Sequence, residues 1–274
     1  MNALNTLEKK YVQAEAAEEK GQFRRAAQIF RQLTEEEAAE PLFHWKLGYV
    51  LLELQEYHSA IKEFRHVLKL DPKNIAAVGG LGRVYMELGK WSLAEKAIRK
   101  RLALKRSPQH FVFLAHILMM RGHAHEAVPM CRRAIALDPG FAEAYLNMGL
   151  AYRADKKPKK AIAALQKATE LDGQYADAFR ELGWTCYSVG DVDAAKTKLE
   201  KCLELDPEDA WAYLYIALCF EYLGDAKGAS RHFRAALKQE PENAVFRKEY
   251  DEFLRQSVSS NGHVLKGTSS DNRS

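Results

Sequence analysis

Apolar residues recur twice at helical spacing within every stretch of about 34 residues. In the stretch 41–74, the first series contains Leu47 and Leu51, and the second contains Phe64 and Leu68. Residues three or four apart lie on the same face of an α-helix, so each stretch predicts two amphipathic helices. The alternation of these two series along the chain predicts a run of helical hairpins.

The pattern returns seven times and sets the predicted domain organisation. The copies are 7–40, 41–74, 75–107, 108–141, 142–175, 176–209 and 210–243. Position 20 is alanine in every copy, position 8 is glycine or alanine, and position 24 is apolar. Small residues at positions 8 and 20 let the two helices approach closely, and the larger residue at position 24 fills the space beside them. Single hairpins of this kind cannot bury their apolar faces, so we expect them to stack.

Turn and stop residues fall at fixed places in these copies. Glycine at position 15 in five of the seven supplies the conformation that ends a first helix. Prolines near the end of several copies cannot continue the second helix. Outside the copies, we predict a lead-in at 1–6, a capping helix at 244–257, and a disordered tail, rich in serine, glycine and asparagine, at 258–274.

The pattern resembles the tetratricopeptide repeat, in segments such as WKLGYVLLELQEYHSAIKEFRHVLKLDP and YLNMGLAYRADKKPKKAIAALQKATELD. The resemblance covers about residues 7–243. It implies an all-α fold, a right-handed α-solenoid of stacked helix-turn-helix repeats. It also implies that the first helices line a concave groove, with positions 2, 5, 9 and 12 of each copy facing into it.

Read at those positions, the chain has a groove that is mostly apolar and aromatic. The predicted partner-binding residues are Leu42, Trp45, Tyr49, Leu52, Gly79, Arg83, Met86, Val112, His116, Met119, Leu146, Leu150, Trp184, Tyr187, Trp211, Leu214 and Leu218. A contiguous apolar surface usually marks an interaction site, and tryptophan, tyrosine and methionine are enriched in interfaces. The alternative is that residues at positions 5 and 12 pack against neighbouring first helices.

The third copy departs from the pattern in two ways. Gly79 and Gly80 are adjacent within a predicted helix, where glycine is unfavourable. Gly79 either leaves a pocket beside Trp45 and Tyr49 for a partner side chain, or is tolerated while Gly80 packs closely. The copy is also one residue short, with Arg101 at an otherwise apolar position, so we expect a locally altered twist after it.

Composition and charge restrict the classes of partner and the cellular compartment that we expect. The net charge of +4 is too close to balance to indicate a specific nucleic-acid partner. Apolar runs are too short for membrane insertion, and the first twenty residues lack a signal-peptide core. The four cysteines include no CxxC pair. These features predict a cytoplasmic protein with reduced thiols, although an unrecognised export route would leave the same sequence.

The sequence gives little support for catalytic activity. The sequence has no glycine-rich phosphate loop after a strand, and His123 and His125 lack a nearby third ligand, so we expect no metal, no cofactor and no enzyme activity. Members of the family that bind a C-terminal carboxylate carry lysine at position 5 and asparagine at position 9. No copy in this chain carries either residue there, so that clamp is not expected.

The sequence thus predicts a non-enzymatic adaptor or chaperone that captures an apolar segment of a protein or peptide in its groove. One alternative is a homo-oligomeric structural protein, such as a homodimer that buries the apolar face. Another is a regulatory or scaffolding subunit of a larger secretion, envelope or glycosyl-transfer complex. The tail segment 263–265 could also dock into the groove as a ligand from the same chain.

Overall fold

The structure is a computed structural model that describes the backbone of residues 2–264 and the side chains of residues 6–257. Every regular element in the described range is an α-helix. The helices are α1 (Asn2–Glu19), α2 (Phe23–Glu36), α3 (Pro41–Glu53), α4 (Tyr57–Leu70), α5 (Ile75–Glu87), α6 (Trp91–Leu104), α7 (Pro108–Met120), α8 (Ala124–Leu137), α9 (Ala142–Ala154), α10 (Pro158–Leu171), α11 (Ala176–Ser188), α12 (Val192–Leu205), α13 (Ala210–Tyr222), α14 (Ala226–Gln239) and α15 (Ala244–Val264).

The chain divides into two units, Met1–Pro139 and Gly140–Ser274. Unit 1 contains α1–α8, which pair in chain order as four hairpins, and unit 2 contains three hairpins, α9–α14, followed by α15. Within each unit the second helix of one hairpin packs on the first helix of the next. The predicted all-α solenoid class is therefore confirmed. No helix in the described range is long and apolar enough to cross a membrane.

Connections between helices have nearly constant lengths. Three residues join the helices of each hairpin, and four residues join successive hairpins within a unit, as at 37–40 and 71–74. The exception is the connection from α6 to α7, which has three residues, 105–107. The residue missing from the third copy is therefore lost from this connection, while α6 keeps 14 residues like the other second helices. The altered twist stays a prediction.

Each hairpin turns at position 15 through a residue with positive φ. These residues are Gly21 (68°), Gln55 (62°), Gly89 (64°), Gly122 (79°), Lys156 (57°), Gly190 (85°) and Gly224 (77°). Only glycine adopts this left-handed conformation without steric cost. The predicted role of glycine is confirmed, and the two copies without it adopt the same turn.

We predict that Gln55→Gly and Lys156→Gly each raise the free energy of unfolding by about 0.5–1 kcal/mol, because they relieve the left-handed strain of a side chain. Denaturant unfolding followed by circular dichroism measures the change. The reverse substitution, Gly190→Ala, should lower the free energy of unfolding by a similar amount. A neutral or destabilising Gln55→Gly would contradict this account of the turn.

The core of every hairpin is the contact between its two helices. The position 20 alanines are fully buried at 0% exposure: Ala26, Ala60, Ala94, Ala127, Ala161, Ala195 and Ala229. At position 8, a Cβ atom on Gly48 would lie 2.9 Å from the ring of Phe64, and one on Gly183 would lie 2.6 Å from Cγ of Leu199. In the copies with glycine at position 8, the position 24 side chain therefore occupies the space that a methyl group at position 8 would need.

We predict that Gly183→Ala lowers the free energy of unfolding by about 1–3 kcal/mol, because the added methyl group overpacks the contact with Leu199. Gly173→Ala is the matched control, since a Cβ atom there meets nothing within 4 Å. Thermal and denaturant unfolding of both variants measure the difference. Equal stability of the two variants would show that position 8 tolerates a side chain.

The C-terminal helix α15 begins at Ala244, as predicted for the capping helix. Its residues Phe246 and Phe253 are buried, and the ring of Phe253 lies 5.3 Å from that of Phe233 on α14. The described helix runs to Val264, beyond the predicted boundary at 257. Residues 258–264 contain no proline, and their modest helix propensities do not stop a helix that has already formed. The rest of the predicted tail, including Leu265, lies outside the described residues.

All four cysteines are buried and unpaired. Burial raises the pKa of Cys131 to about 12. Burial, with Asp209 nearby, raises the pKa of Cys202 to about 12 as well. Such thiols stay protonated at neutral pH and are poor nucleophiles. They lie at positions where most other copies carry apolar residues, so packing accounts for them.

Candidate partner-binding sites

Unit 1 contains a cavity of about 430 Å³, which we call the unit 1 pocket. Its lining comes from α3 to α7: Trp45, Tyr49, Leu52, Phe64, Ala76, Gly79, Gly80, Arg83, Met86, Glu87, Ile98, Arg101 and Phe113. On α3, the rings of Trp45 and Tyr49 are stacked, with centroids 6.2 Å apart. Six of the predicted groove residues therefore lie together: Trp45, Tyr49, Leu52, Gly79, Arg83 and Met86. Of these, Leu52 and Gly79 are buried, so neither offers a side-chain surface to a partner.

Arg83 carries a charge that is already paired. Its Nη1 atom lies 2.9 Å from Oε1 of Glu53, and its guanidinium lies 5.9 Å from the centre of the Tyr49 ring. Burial alone would lower the pKa of Arg83, but Glu53 and Tyr49 raise it. Arg83 therefore contributes a neutralised ion pair to the pocket wall.

The adjacent glycines of α5 each make room for a side chain from a second helix. A Cβ atom on Gly80 would lie 2.4 Å from the ring of Phe64, and one on Gly79 would lie 1.8 Å from Nη1 of Arg101. Arg101 therefore fills the space directly at Gly79, and Gly80 packs closely on Phe64. A cavity lined by Gly79 still lies over the Arg101 guanidinium, beside Trp45 and Tyr49. The use of that cavity by a partner side chain stays a prediction.

Other predicted residues of unit 1 lie away from the pocket. Leu42 is exposed near the start of α3, and Val112 of α7 is buried, so Val112 cannot contact a partner. His116 and Met119 of α7 are half-buried, and the His116 ring lies 6.3 Å from that of Trp91. Burial lowers the pKa of His116. The α7 residue that does line the pocket is Phe113, which is 42% exposed and was not predicted.

Unit 2 carries five aromatic side chains in mutual contact on α11 and α13, which we call the unit 2 aromatic cluster. Trp184 stacks on Tyr215, with centroids 4.4 Å apart, and on Tyr187 at 5.6 Å. Trp211 lies 5.9 Å from Tyr215, and Tyr222 lies 6.5 Å from Tyr187. Tyr222 is 67% exposed and the other four are half-buried, so the cluster forms an accessible surface.

The prediction brought together Trp184, Tyr187 and Trp211 but missed Tyr215 and Tyr222. Those two lie at positions 6 and 13, outside the four positions that the resemblance assigned to the groove. Their spacing from Trp211, four and eleven residues, places all three on one helical face, and this signal was available in the sequence. Trp211 also contacts the capping helix, because its ring lies 5.0 Å from that of Phe246.

Four predicted aliphatic residues of unit 2 belong wholly or partly to its core. Leu146 and Leu214, both at position 5, are buried, so their assignment to an accessible groove is wrong. The alternative that position 5 is a packing position holds for them and for Val112. Leu150 and Leu218 at position 9 are half-buried and pack against the cores. Only part of each of these two side chains is available to a partner.

Ion pairs lie beside the unit 2 aromatic cluster, among the charged residues at the groove positions of unit 2. Arg180 at position 5 donates to Asp209 at 2.7 Å and pairs with Asp177 at 2.7 Å. Arg153 at position 12 lies 2.6 Å from Glu181. Burial alone would lower the pKa of Arg180, but the hydrogen bond to Asp209 and the neighbouring carboxylates raise it. These charges are therefore satisfied within unit 2.

Glu221, next to Tyr222 in the sequence, carries an unfavourable charge. Burial raises its pKa above the ordinary value of 4.5, and Glu249 and Glu252 raise it further. A carboxyl group whose pKa is raised by folding destabilises the folded state at pH values where it must ionise.

We predict that Glu221→Gln raises the melting temperature at pH 7.5 and leaves it unchanged near pH 3.5. Below the unfolded pKa the carboxyl is protonated in both states, so the substitution then has little effect. The destabilisation, and the gain from removing it, appear as pH rises through the range above 4.5. Melting curves across this range test it, with the exposed Glu208→Gln as the control. A gain of the same size at both pH values would contradict the assignment.

In the described part of the chain, no three histidine, cysteine, aspartate or glutamate side chains are grouped to hold a metal ion. The first helices thus present two accessible features. One is the unit 1 pocket, lined by aromatic side chains and Arg101, and the other is the unit 2 aromatic cluster. Both consist of side chains suited to contact with another protein.

Family models described as tetratricopeptide repeat match residues 11–75, 51–111, 140–208 and 187–248. Together they cover well over half of the chain, which therefore belongs to the tetratricopeptide-repeat family. Proteins of this family are generally protein-interaction modules. The division into seven copies stays a prediction.

Individual relatives match at low identity. The human protein O-mannosyl-transferase TMTC3 is 26% identical over 42% of this chain, and the match spans 14% of that relative. A tetratricopeptide repeat protein from Parabacteroides merdae superposes with a TM-score of 0.76 at 13% identity, covering 91% of this chain and 99% of that one. YrrB, described as a TPR protein with an unusual peptide-binding site, gives a TM-score of 0.53 at 24% identity, with coverages of 68% and 96%. At these identities the structural matches show the fold alone.

Proposed function

We propose that this chain is a non-enzymatic adaptor or chaperone that binds an apolar segment of a partner protein on the aromatic side chains of its first helices. The observation that carries the proposal is the unit 2 aromatic cluster. Five rings from two helices contact one another and remain partly accessible, with Tyr222 67% exposed. A contiguous aromatic surface of this kind is typical of an interaction site.

The energetics of such a surface favour a peptide or protein ligand. Covering half of an aromatic side chain removes about 100 Å² from water, which stabilises a complex by roughly 2 kcal/mol. Rings that already stack, as Trp184 does on Tyr215, lose little conformational freedom when a partner covers them. Trp45 and Tyr49 offer a second, smaller aromatic surface in unit 1.

The fold and the cysteines add support for this assignment. The fold resembles that of YrrB, whose description includes a peptide-binding site. Four buried cysteines without disulfides suit a reducing compartment, so we propose a cytoplasmic location. The same surfaces would serve in a regulatory or scaffolding subunit of a secretion, envelope or glycosyl-transfer complex, or in a homodimer.

We predict that the double variant Trp45→Ser and Trp184→Ser loses at least about tenfold in partner recovered by affinity purification with quantitative mass spectrometry. The single variant Tyr222→Ser should lose part of that recovery, because it removes the most exposed ring. Leu93→Ser and Leu171→Ser are matched controls, since both remove exposed apolar side chains from second helices. Circular dichroism and thermal melting establish that each variant is folded.

Recovery of the same partners by the folded double variant would contradict the proposal, and so would an equal loss in the second-helix controls. Analytical ultracentrifugation tests the alternative that the chain forms a homodimer. A concentration-independent monomer excludes it, whereas a dimer that the double variant dissociates would assign the aromatic surfaces to self-association.

A further inference from the structure

Arg101 of α6 is a half-buried cation that has no ion-pair partner among the described residues. Its Nε atom is buried and has no hydrogen-bond partner, and no ion pair to this side chain forms within the described residues. Burial lowers the pKa of its guanidinium, yet an arginine keeps its charge at neutral pH. A charge that is partly removed from water without a compensating partner is unfavourable in the folded chain, so its retention needs an explanation.

The same hairpin position is apolar and fully buried in the other six copies, as Leu33, Val67, Ala134, Ala168, Cys202 and Ala236. Position 5 carries a side chain in those copies and glycine here, at Gly79. The guanidinium of Arg101 lies against the Cα of Gly79, where a position 5 side chain would begin. The third copy therefore has a large residue on the second helix and a small one on the first helix, unlike the other copies. As a result, the guanidinium of Arg101 reaches the face formed by the first helices.

Other charges near the pocket do not neutralise Arg101. Glu53 is engaged by Arg83 at 2.9 Å. Glu87 lines the pocket but forms no ion pair with Arg101. Burial, together with the charges of Arg101 and Lys105, lowers the pKa of His110 to about 4, so this histidine is neutral at neutral pH. The unit 1 pocket therefore has an aromatic wall and one unpaired positive charge in its floor.

We propose that the unit 1 pocket binds a side-chain carboxylate of a partner segment, with Arg101 as its ion-pair partner. The inference rests on the proposed peptide-binding function and specifies its ligand. A planar guanidinium with several donors matches a carboxylate geometrically, and a partly dry pocket strengthens such a pair. This site differs from the family's clamp for a C-terminal carboxylate. Its cation comes from a second helix, and no copy in this chain carries the clamp's lysine at position 5 or its asparagine at position 9.

The surroundings of Arg101 favour an acidic residue inside a segment over a chain terminus. Trp45 and Tyr49 of α3 line one part of the pocket, and Phe113 of α7, which is 42% exposed, lines another. The guanidinium of Arg101 reaches from α6 to Gly79 of α5, the first helix that lies between α3 and α7 in chain order. A segment that covers both aromatic walls needs apolar residues on each side of the acidic one. The expected ligand is therefore apolar–acidic–apolar.

Selection from random peptide libraries tests this inference on the full chain. One library holds the random peptides between fixed flanking sequences, and a second presents them with a free C-terminus. The wild-type chain should enrich internal aspartate or glutamate flanked by apolar residues. With Arg101→Met the acidic preference should disappear while the apolar preference persists, and affinity for synthetic copies of the wild-type-selected peptides should fall about tenfold or more. Lys100→Met, which removes an exposed charge from the same helix, should select like the wild type.

The outcomes separate this inference from the function on which it rests. Apolar enrichment without acidic residues, or an acidic preference that survives Arg101→Met, overturns the role of Arg101 and leaves the peptide-binding function standing. Acidic selection confined to the free C-terminus overturns the side-chain assignment. Absence of any enrichment by the folded wild type overturns both.

A stability measurement distinguishes a ligand-binding arginine from a structural one. If Arg101 is kept for a ligand, Arg101→Met should raise the melting temperature of the free chain, because it replaces an unpaired, half-buried charge with an apolar side chain of similar length. Lys100→Met should leave the melting temperature unchanged. A lower melting temperature for Arg101→Met, with selection unchanged, would assign the arginine to packing.

Discussion

The close contact between the two helices of each hairpin is the constraint on which the rest of the structure depends. An alanine at position 20 and a glycine or alanine at position 8 allow the helices to approach until the position 24 side chain fills the remaining space. At Gly149 and Gly183 that approach leaves no room for even a methyl group. The contact fixes how each first helix is rotated, and that rotation decides which of its side chains enter the core.

Much of the fold could be predicted because the same local geometry recurs along the chain. Positions 8, 15, 20 and 24 each have one structural task, so their residue types repeat, and the helix bounds follow. Gln55 and Lys156 show the strength of this geometry, since both adopt the turn conformation that glycine prefers. The helical conformation of residues 258–264 escaped prediction because no neighbouring copy constrains this segment and its composition favours neither helix nor coil strongly.

The candidate sites were predicted less completely, because they depend on which side chains meet across helices. Position 5 was assigned to the groove, yet Val112, Leu146 and Leu214 are core residues, since aliphatic side chains there pack between first helices. Arg101 was noticed only as an exception to an apolar pattern. Its route to the first-helix face requires Gly79, on another helix, and pairing the two residues needs three-dimensional contact information. Sequence periodicity shows which residues share one face of a helix. The pairing of a large side chain on one helix with a small residue on another is visible only in the structure.

One carboxylate in unit 2 joins several elements at once. Asp209 is buried, accepts the backbone N–H of Ala212 as the N-cap of α13, accepts a guanidinium N–H of Arg180 on α11, and lies 3.5 Å from the Sγ of Cys202 on α12. The two helices that carry the aromatic rings are thus tied together at their N-terminal ends by a single side chain. A residue outside the aromatic cluster therefore helps to set the alignment of its rings. A substitution of this aspartate would alter that alignment without any change in the aromatic residues themselves.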